Sequence, residues 1–246
     1  MVIPPICIIQ ARLKSTRLEN KMLLKLGGET LIARAVRLAR MAFGALHVIV
    51  AIPKSDEDGP LGAELRCIGA NVFAWDGDEA NVLGRFHAAA TRYRWHPQSV
   101  IVRWTPDDPF KDSEACRQTA EGMRFPVEIG CEAFTLAALD RAFHTTHADD
   151  LVPREHLGNH RGIFPFDPIP CPPGIWTVDT QEDYEAAQRR FAVHGDAYTT
   201  DIPPATGTEP HKGFDSAEIG DPMGTAPVAR PIVPGVAHPD IDRGAY

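Results

Sequence analysis

Short apolar, β-rich runs alternate with helix-period segments along most of this chain, and that alternation constrains the fold more than any other feature. Ile6 to Gln10 follows Pro4-Pro5 and reads as a buried strand. Thr30 opens a helix to about Phe43, with Leu31, Ala35, Leu38 and Ala42 on one face and Gly44 placed to end it. His47 to Ile52 is a second strand, Pro60 to Ile68 a short helix closed by Gly69, and Asn71 to Phe73 a third strand. Asn81 to Tyr93 is a helix presenting Val82, Phe86, Ala89 and Tyr93, and Ser99 to Trp104 is a fourth strand. Ser113 to Met123 reads as a helix capped by Ser113, with Asp112 a second candidate for the cap. Ile175 to Val178 reads as a strand. Thr180 then caps a last helix to about Phe191, with Asp183 in the capping-box position. The expected class is α/β, a mainly parallel sheet with helices on both faces. Ligands of such sheets bind beyond the C-terminal ends of the strands, which selects residues 11–21, residues 105–112 and the turn at Asp179.

Charge and cysteine content narrow the function. The formal net charge is −8, which argues against a general nucleic-acid binder. Residues 1–40 nevertheless hold eight Lys/Arg against two Glu, so a local anion site fits there. The five cysteines, Cys7, Cys67, Cys116, Cys131 and Cys171, are widely spaced and form no C-x-x-C. A disulfide framework or thiolate zinc site is not expected, and a reducing compartment is. The start shows no basic stretch followed by an apolar run, and Ala42 to Pro53 is too short to cross a bilayer. The expectation is a cytoplasmic protein with no membrane partner. Residues 1–195 read as one domain. Residues 197–246 hold eight Pro and six Gly without apolar periodicity, so 196–246 reads as a tail, disordered or draped on the surface.

Three segments carry candidate chemistry. In Gln10-Ala11-Arg12-Leu13-Lys14-Ser15-Thr16-Arg17-Leu18-Glu19-Asn20-Lys21, four cations and two hydroxyls follow the end of a strand. A polyphosphate needs cations for its oxygens and hydroxyl or backbone donors to fix register. The loop is neither a Walker A nor a G-x-G-x-x-G sequence, and a solvated basic face is the alternative. Next comes Thr105-Pro106-Asp107-Asp108-Pro109-Phe110-Lys111-Asp112, with two carboxylates just past a buried strand. Mg²⁺ takes one or two carboxylates plus substrate phosphates, while capping and turn formation are the alternatives. Third, Asp179 in Trp176-Thr177-Val178-Asp179-Thr180 sits before a helix. It either complements the helix dipole or, if its strand neighbours the first and fourth, shares an ion with Asp107.

The order Q-A-R-x-x-S-T-R-L-x-x-K, R-x-T-x-D-x-P-x-x-D, W-T-V-D-T-x-E-D resembles the cytidylyltransferase family. Among its branches the chain is most similar to that of the spore coat polysaccharide biosynthesis protein F. Asn81-Val82-Leu83-Gly84-Arg85-Phe86, Phe125-Pro126, Glu132-Ala133-Phe134 and Arg154-Glu155-His156 resemble further motifs of that branch, and the likeness runs over about residues 5–192. The resemblance implies a nucleotide-diphospho-sugar transferase fold, GT-A-like and Rossmann-like. It implies transfer of CMP from CTP to a hydroxyl of an acidic or related sugar with release of pyrophosphate, and it admits a homodimer. Carried over, Arg12 and Lys21 grip the triphosphate with Ser15 and Arg17 as helpers. Asp107 and Asp179 hold Mg²⁺, while Arg85, Arg103 and Glu132 shape the nucleotide or acceptor pocket. The chain departs from the family's pattern at Glu19, Pro106, Asp108, Glu128 and Gly130, and looks shortened between Met123 and Pro126 and over Gly158 to Gly174.

Two rival readings keep the fold: a glycosyltransferase using Asp107-Asp108 for the metal of a nucleotide-sugar, or a non-catalytic nucleotide binder. His144-x-x-His147 and His156-x-x-x-His160 have zinc-like spacing, but surface or structural histidine is the expected reading. Cys131 is expected to be a core residue rather than a nucleophile. Trp75, before Asp76-Gly77-Asp78-Glu79, is expected either to stack on a base or to anchor an acidic turn.

Overall fold

A computed structural model describes residues 4–122, 125–126, 131–145, 168–169 and 177–196. Four strands, β1 (Ile6–Gln10), β4 (Val48–Pro53), β5 (Val72–Trp75) and β6 (Val100–Trp104), run parallel. A fifth, β8 (Cys131–Thr135), pairs antiparallel with β6, giving the order β5-β4-β1-β6-β8. Between them lie the hairpin strands β2 (Lys25–Leu26) and β3 (Glu29–Thr30), and the short parallel pair β7 (Phe125–Pro126) and β9 (Pro168–Ile169). The helices are α1 (Leu31–Phe43), α2 (Pro60–Cys67), α3 (Val82–Tyr93), α4 (Ser113–Gly122), α5 (Leu136–Thr145) and α6 (Gln181–His194).

The pleat explains why the strand sequences are apolar on both sides. Cys7 and Ile9 face one layer with Val48, Val50, Val102 and Trp104, under α1, α2 and α4. Ile6 and Ile8 face the other with Ile49, Ala51, Ile101 and Phe134, under α3 and α5. Helices thus cover both faces, as the strand–helix alternation requires. A third cluster, Leu18, Leu26, Leu31, Phe110, Val178 and Ala187, fastens the basic loop and α6 to the end of the sheet.

Local chemistry sets the boundaries. The Thr30 hydroxyl accepts from the Ala33 N–H at 3.1 Å, and Gly44 ends α1 with φ at 82°. Thr180 and Asp183 close a full capping box at the start of α6. At α4 the cap is Asp112 rather than Ser113: its carboxylate accepts from Glu114 N at 2.8 Å and Ala115 N at 3.0 Å. The Ser113 hydroxyl instead donates to the Leu38 carbonyl. Gly27 and Gly28 both take positive φ and turn the β2–β3 hairpin in two residues.

The segment read as a last strand, Ile175 to Val178, differs from the sequence expectation over the residues described. Thr177 to Asp179 pair with no strand, and the sheet position beyond β6 belongs to β8. The segment still reaches the site, because the Val178 N–H donates to the Asp107 carbonyl at 2.8 Å. The chain runs β1, β4, β5 outward on one side of β1 and then returns to β6 on the other. This reversal leaves the crevice for a ligand between the loops that follow β1 and β6.

A candidate nucleotide site at the ends of β1 and β6

The loop after β1 is pinned before it presents any charge. Leu13 N donates to the buried Asp56 carboxylate at 2.8 Å, Leu18 N to Ser15 Oγ at 3.3 Å, and the Leu18 side chain is buried. Asn20 then takes a left-handed conformation and delivers Lys21 into a short 3₁₀ turn. From there Lys21 Nζ donates to Asp179 Oδ1 at 2.9 Å and lies 3.8 Å from Asp107 Oδ2. Arg17 reaches the same Asp179 oxygen at 3.1 Å. Four of the predicted residues, from three distant segments, therefore meet at one point.

Asp107 is held from below. Lys111 is buried, donates to the Thr105 carbonyl at 2.6 Å and to its hydroxyl at 3.2 Å, and lies over the Trp104 ring. Burial pushes the Asp107 carboxyl up, but the Lys111 and Lys21 ammoniums, the Thr105 hydroxyl and Arg103 together bring it below the ordinary carboxylate range. Asp108 behaves differently: burial raises it despite Lys111, and its oxygen accepts from Phe110 N at 3.1 Å. The adjacent acids thus part company, Asp107 with the site's cations and Asp108 in the turn. Phe110 clamps this loop, with the Arg34 guanidinium 5.9 Å and the Arg190 guanidinium 4.3 Å from its ring centre. Arg34 also donates to the Pro109 carbonyl at 2.7 Å.

The remaining predicted residues fall in two groups. Arg103 joins Gln10 (2.8 Å) to Glu132 (2.8 Å), its register partner on β8, making a polar row across β1, β6 and β8. Glu132 Oε2 is buried with no hydrogen-bond partner among the described residues. Arg12 and Lys14 lie on the outer part of the loop, 3.7 and 3.5 Å from Glu79. Arg85 departs from its expected place in a binding pocket. It is 2% exposed and is spent on backbone carbonyls, those of Ala11 (3.3 Å), Ala51 (3.4 Å) and Glu79 (2.6 Å). Burial, then the nearby Arg12, lowers its pKa from the usual arginine value, partly countered by Glu79 and Asp56. Through these bonds it ties the segment after β1, β4 and the acidic turn together.

Sequence reasoning missed Glu79, Lys111, Thr105 and Asp56. Glu79 had a signal, the acidic turn after Trp75, whose ring packs against Gly77 so closely that a Cβ there would lie 2.2 Å from it. Trp75 thus anchors its own turn. Cys131 is a core residue, buried beside Cys116. Trp176, Glu128, Gly130, Arg154, Glu155, His156, His147, His160, Cys171 and the tail from residue 197 lie outside the described residues. Among the described residues no helix is long and apolar enough to cross a membrane.

Comparison with known proteins relates this chain to the cytidylyltransferases. The family model for cytidylyltransferases matches residues 6–125. A 3-deoxy-manno-octulosonate cytidylyltransferase of Methylococcus capsulatus is 31% identical over 131 residues, 53% of this chain and 48% of that protein. The spore coat polysaccharide biosynthesis protein SpsF of Bacillus subtilis is 27% identical over 214 residues, 77% of this chain and 87% of that protein. An uncharacterized protein of Methanocaldococcus jannaschii is 31% identical over 161 residues, 61% of this chain. The chain spans 63% of the length of the Methanocaldococcus relative and about half that of the Methylococcus one. The structure of a cytidylyltransferase from Leptospira borgpetersenii shares the fold with a TM-score of 0.66 at 22% identity, covering 82% of this chain and 91% of that one. The basic loop, the carboxylate loop and the parallel strands that carry both fall within residues 6–125, the stretch that matches the cytidylyltransferase family model.

Proposed function

We propose that this protein transfers CMP from CTP to a hydroxyl of an acidic sugar and releases pyrophosphate, in the making of a surface polysaccharide. One observation carries the reading: Lys21, Arg17, Asp107 and Asp179 converge where the strand order reverses. Nucleotidyl transfer depends on positioning and charge neutralisation, and this cluster supplies both. The sugar relatives, a 3-deoxy-manno-octulosonate cytidylyltransferase and a spore coat polysaccharide protein, favour a sugar acceptor.

The donor set fits Mg²⁺. Asp107 and Asp179 offer only oxygen, and the Lys21 ammonium already marks a cation position between them. Bound there, Mg²⁺ would polarise the α-phosphate. Lys21 and Arg17 would contact phosphate oxygens and the departing pyrophosphate, with Arg12 at the outer edge of the loop. Ser15 shapes the loop through its bond to Leu18 N. On the acceptor side, Arg103 orients Glu132, whose unpartnered oxygen can accept a hydrogen bond from a sugar hydroxyl. Asp108, buried and turned to Phe110 N and Lys111, argues against the glycosyltransferase alternative that needs both acids on one metal.

The reading is tested by incubating the full chain with CTP, Mg²⁺ and a panel of acidic 2-keto sugars, following pyrophosphate and CMP-sugar together. Sugar-dependent release of both in equal amounts is expected. Turnover of a nucleotide-sugar without pyrophosphate would replace this function with glycosyl transfer.

A further inference from the structure

On the other side of the molecule's chemistry, α3 and α5 bring three metal-ligating side chains together. Asp140 and His144 stand four residues apart on α5, so they share a face. His87 meets them from α3, packed flat on the Phe143 ring at 3.9 Å between centres. His87 Nε2 lies 3.0 Å from Asp140 Oδ1, and His144 Nε2 lies 3.5 Å from the same oxygen. One ligand atom from each residue falls within 4.8 Å of the other two. Ligands at ordinary zinc distances in a tetrahedral shell are about 3.3 Å apart, so both measured separations already bracket that edge.

We propose that His87, Asp140 and His144 form a binding site for a borderline-soft divalent cation of the Zn²⁺ type. Two imidazoles and one carboxylate suit zinc and disfavour Mg²⁺, which takes oxygen donors. The site therefore stays chemically separate from the Asp107/Asp179 pair. The side chains of Asp140 and His144 are 57% and 65% exposed, so water completes the shell and the ion enters without any opening of the fold. Stacking on Phe143 fixes the His87 ring before the metal arrives, which reduces the ordering cost of binding. A bound ion would pin α3 to α5, the two helices that cover one face of the sheet. In the sequence, the spacing of His144 and His147 reads as surface or structural histidine; the structure brings His144 together with Asp140, one turn back along α5, and with His87 of α3.

The test uses the full-length protein, stripped with a chelator and titrated with Zn²⁺ against a chromophoric competitor in excess Mg²⁺. Co²⁺ is substituted in parallel, because its visible bands report nitrogen and oxygen ligation. His144→Gln and Asp140→Asn are the informative variants, since both side chains are largely exposed and their metal-free melting temperatures should match wild type. Loss of one ligand should weaken Zn²⁺ binding by about tenfold or more and remove the Co²⁺ bands. Zinc affinity in both variants within about twofold of wild type, or no competition by the wild-type protein, would overturn the proposal. No CTP enters these measurements, so their outcome is independent of the nucleotidyl-transfer reading.

Discussion

Asp107→Asn should abolish the Mg²⁺-dependent part of CTP binding and lower turnover by about 10³-fold, roughly 4 kcal/mol of transition-state stabilisation. The substitution keeps the shape of the side chain and removes its charge. What remains is a cluster of cations, Lys21, Lys111 and Arg103, facing one carboxylate fewer. Binding of CTP without Mg²⁺ should survive, because the lysine and arginines of the basic loop are untouched. The variant also has a stability signature. Because the fold lowers the Asp107 pKa, its ionisation contributes stability above the ordinary carboxylate range, which is lost as pH falls through the lowered value. The melting-temperature difference between wild type and Asp107→Asn should therefore be largest near neutral pH and shrink on acidification below the ordinary carboxylate range. Calorimetry at several pH values, beside CTP titration with and without Mg²⁺, checks both halves. A gap that widens on acidification would contradict the electrostatic assignment.

Arg85→Met should destabilise the fold by about 3 kcal/mol, enough to lower the melting temperature by roughly 6–12 °C. Methionine replaces most of the aliphatic volume, so the loss isolates the guanidinium. The Ala11 and Glu79 carbonyls would lose the Arg85 donor, and the Ala51 carbonyl would keep only the Ala11 N–H. Those carbonyls belong to the segment after β1, to β4 and to the acidic turn before α3. The variant should thus also loosen the loop that carries Arg12, and raise the KM for CTP more than it lowers kcat. If Arg85 bound nucleotide directly, the stability of the empty protein would hardly change. Thermal denaturation of the ligand-free protein separates the two.

The parallel strands were legible because β1, β4 and β6 are apolar on both faces, a pattern that only a sheet covered on both sides can bury. Helix ends were legible where one residue type is physically required, as at Thr30, Gly44 and the Thr180/Asp183 box. The antiparallel strand β8 was not, because Cys131-Glu132-Ala133-Phe134-Thr135 lacks a β-branched run and gains its strand character from pairing with β6. The β2–β3 hairpin carried a readable signal in Gly27-Gly28, two adjacent residues at positive φ. In the site, position beyond a strand or before a helix picked out the segments 11–21, 105–112 and the turn at Asp179, while the resemblance singled out Lys21, Asp107 and Asp179 within them. The resemblance cast Arg85 as a pocket cation, since nothing local says that a helix turns it onto backbone carbonyls. The His87 contribution to the Asp140, His144 pair was hidden for the same reason, because it comes from another element.

The cluster around Lys21, Asp107 and Asp179 is proposed to be built for CTP. Thermal-shift measurements of the full chain with CTP, UTP, GTP, ATP and dTTP, each with and without Mg²⁺, test it most directly. A ligand that binds only the folded state raises the melting temperature by mass action, about 2.7 kcal/mol at a hundredfold excess over its Kd. The expected shift is largest for CTP and is strengthened by Mg²⁺. No shift with any triphosphate, or an equal shift with all five that ignores Mg²⁺, would contradict it.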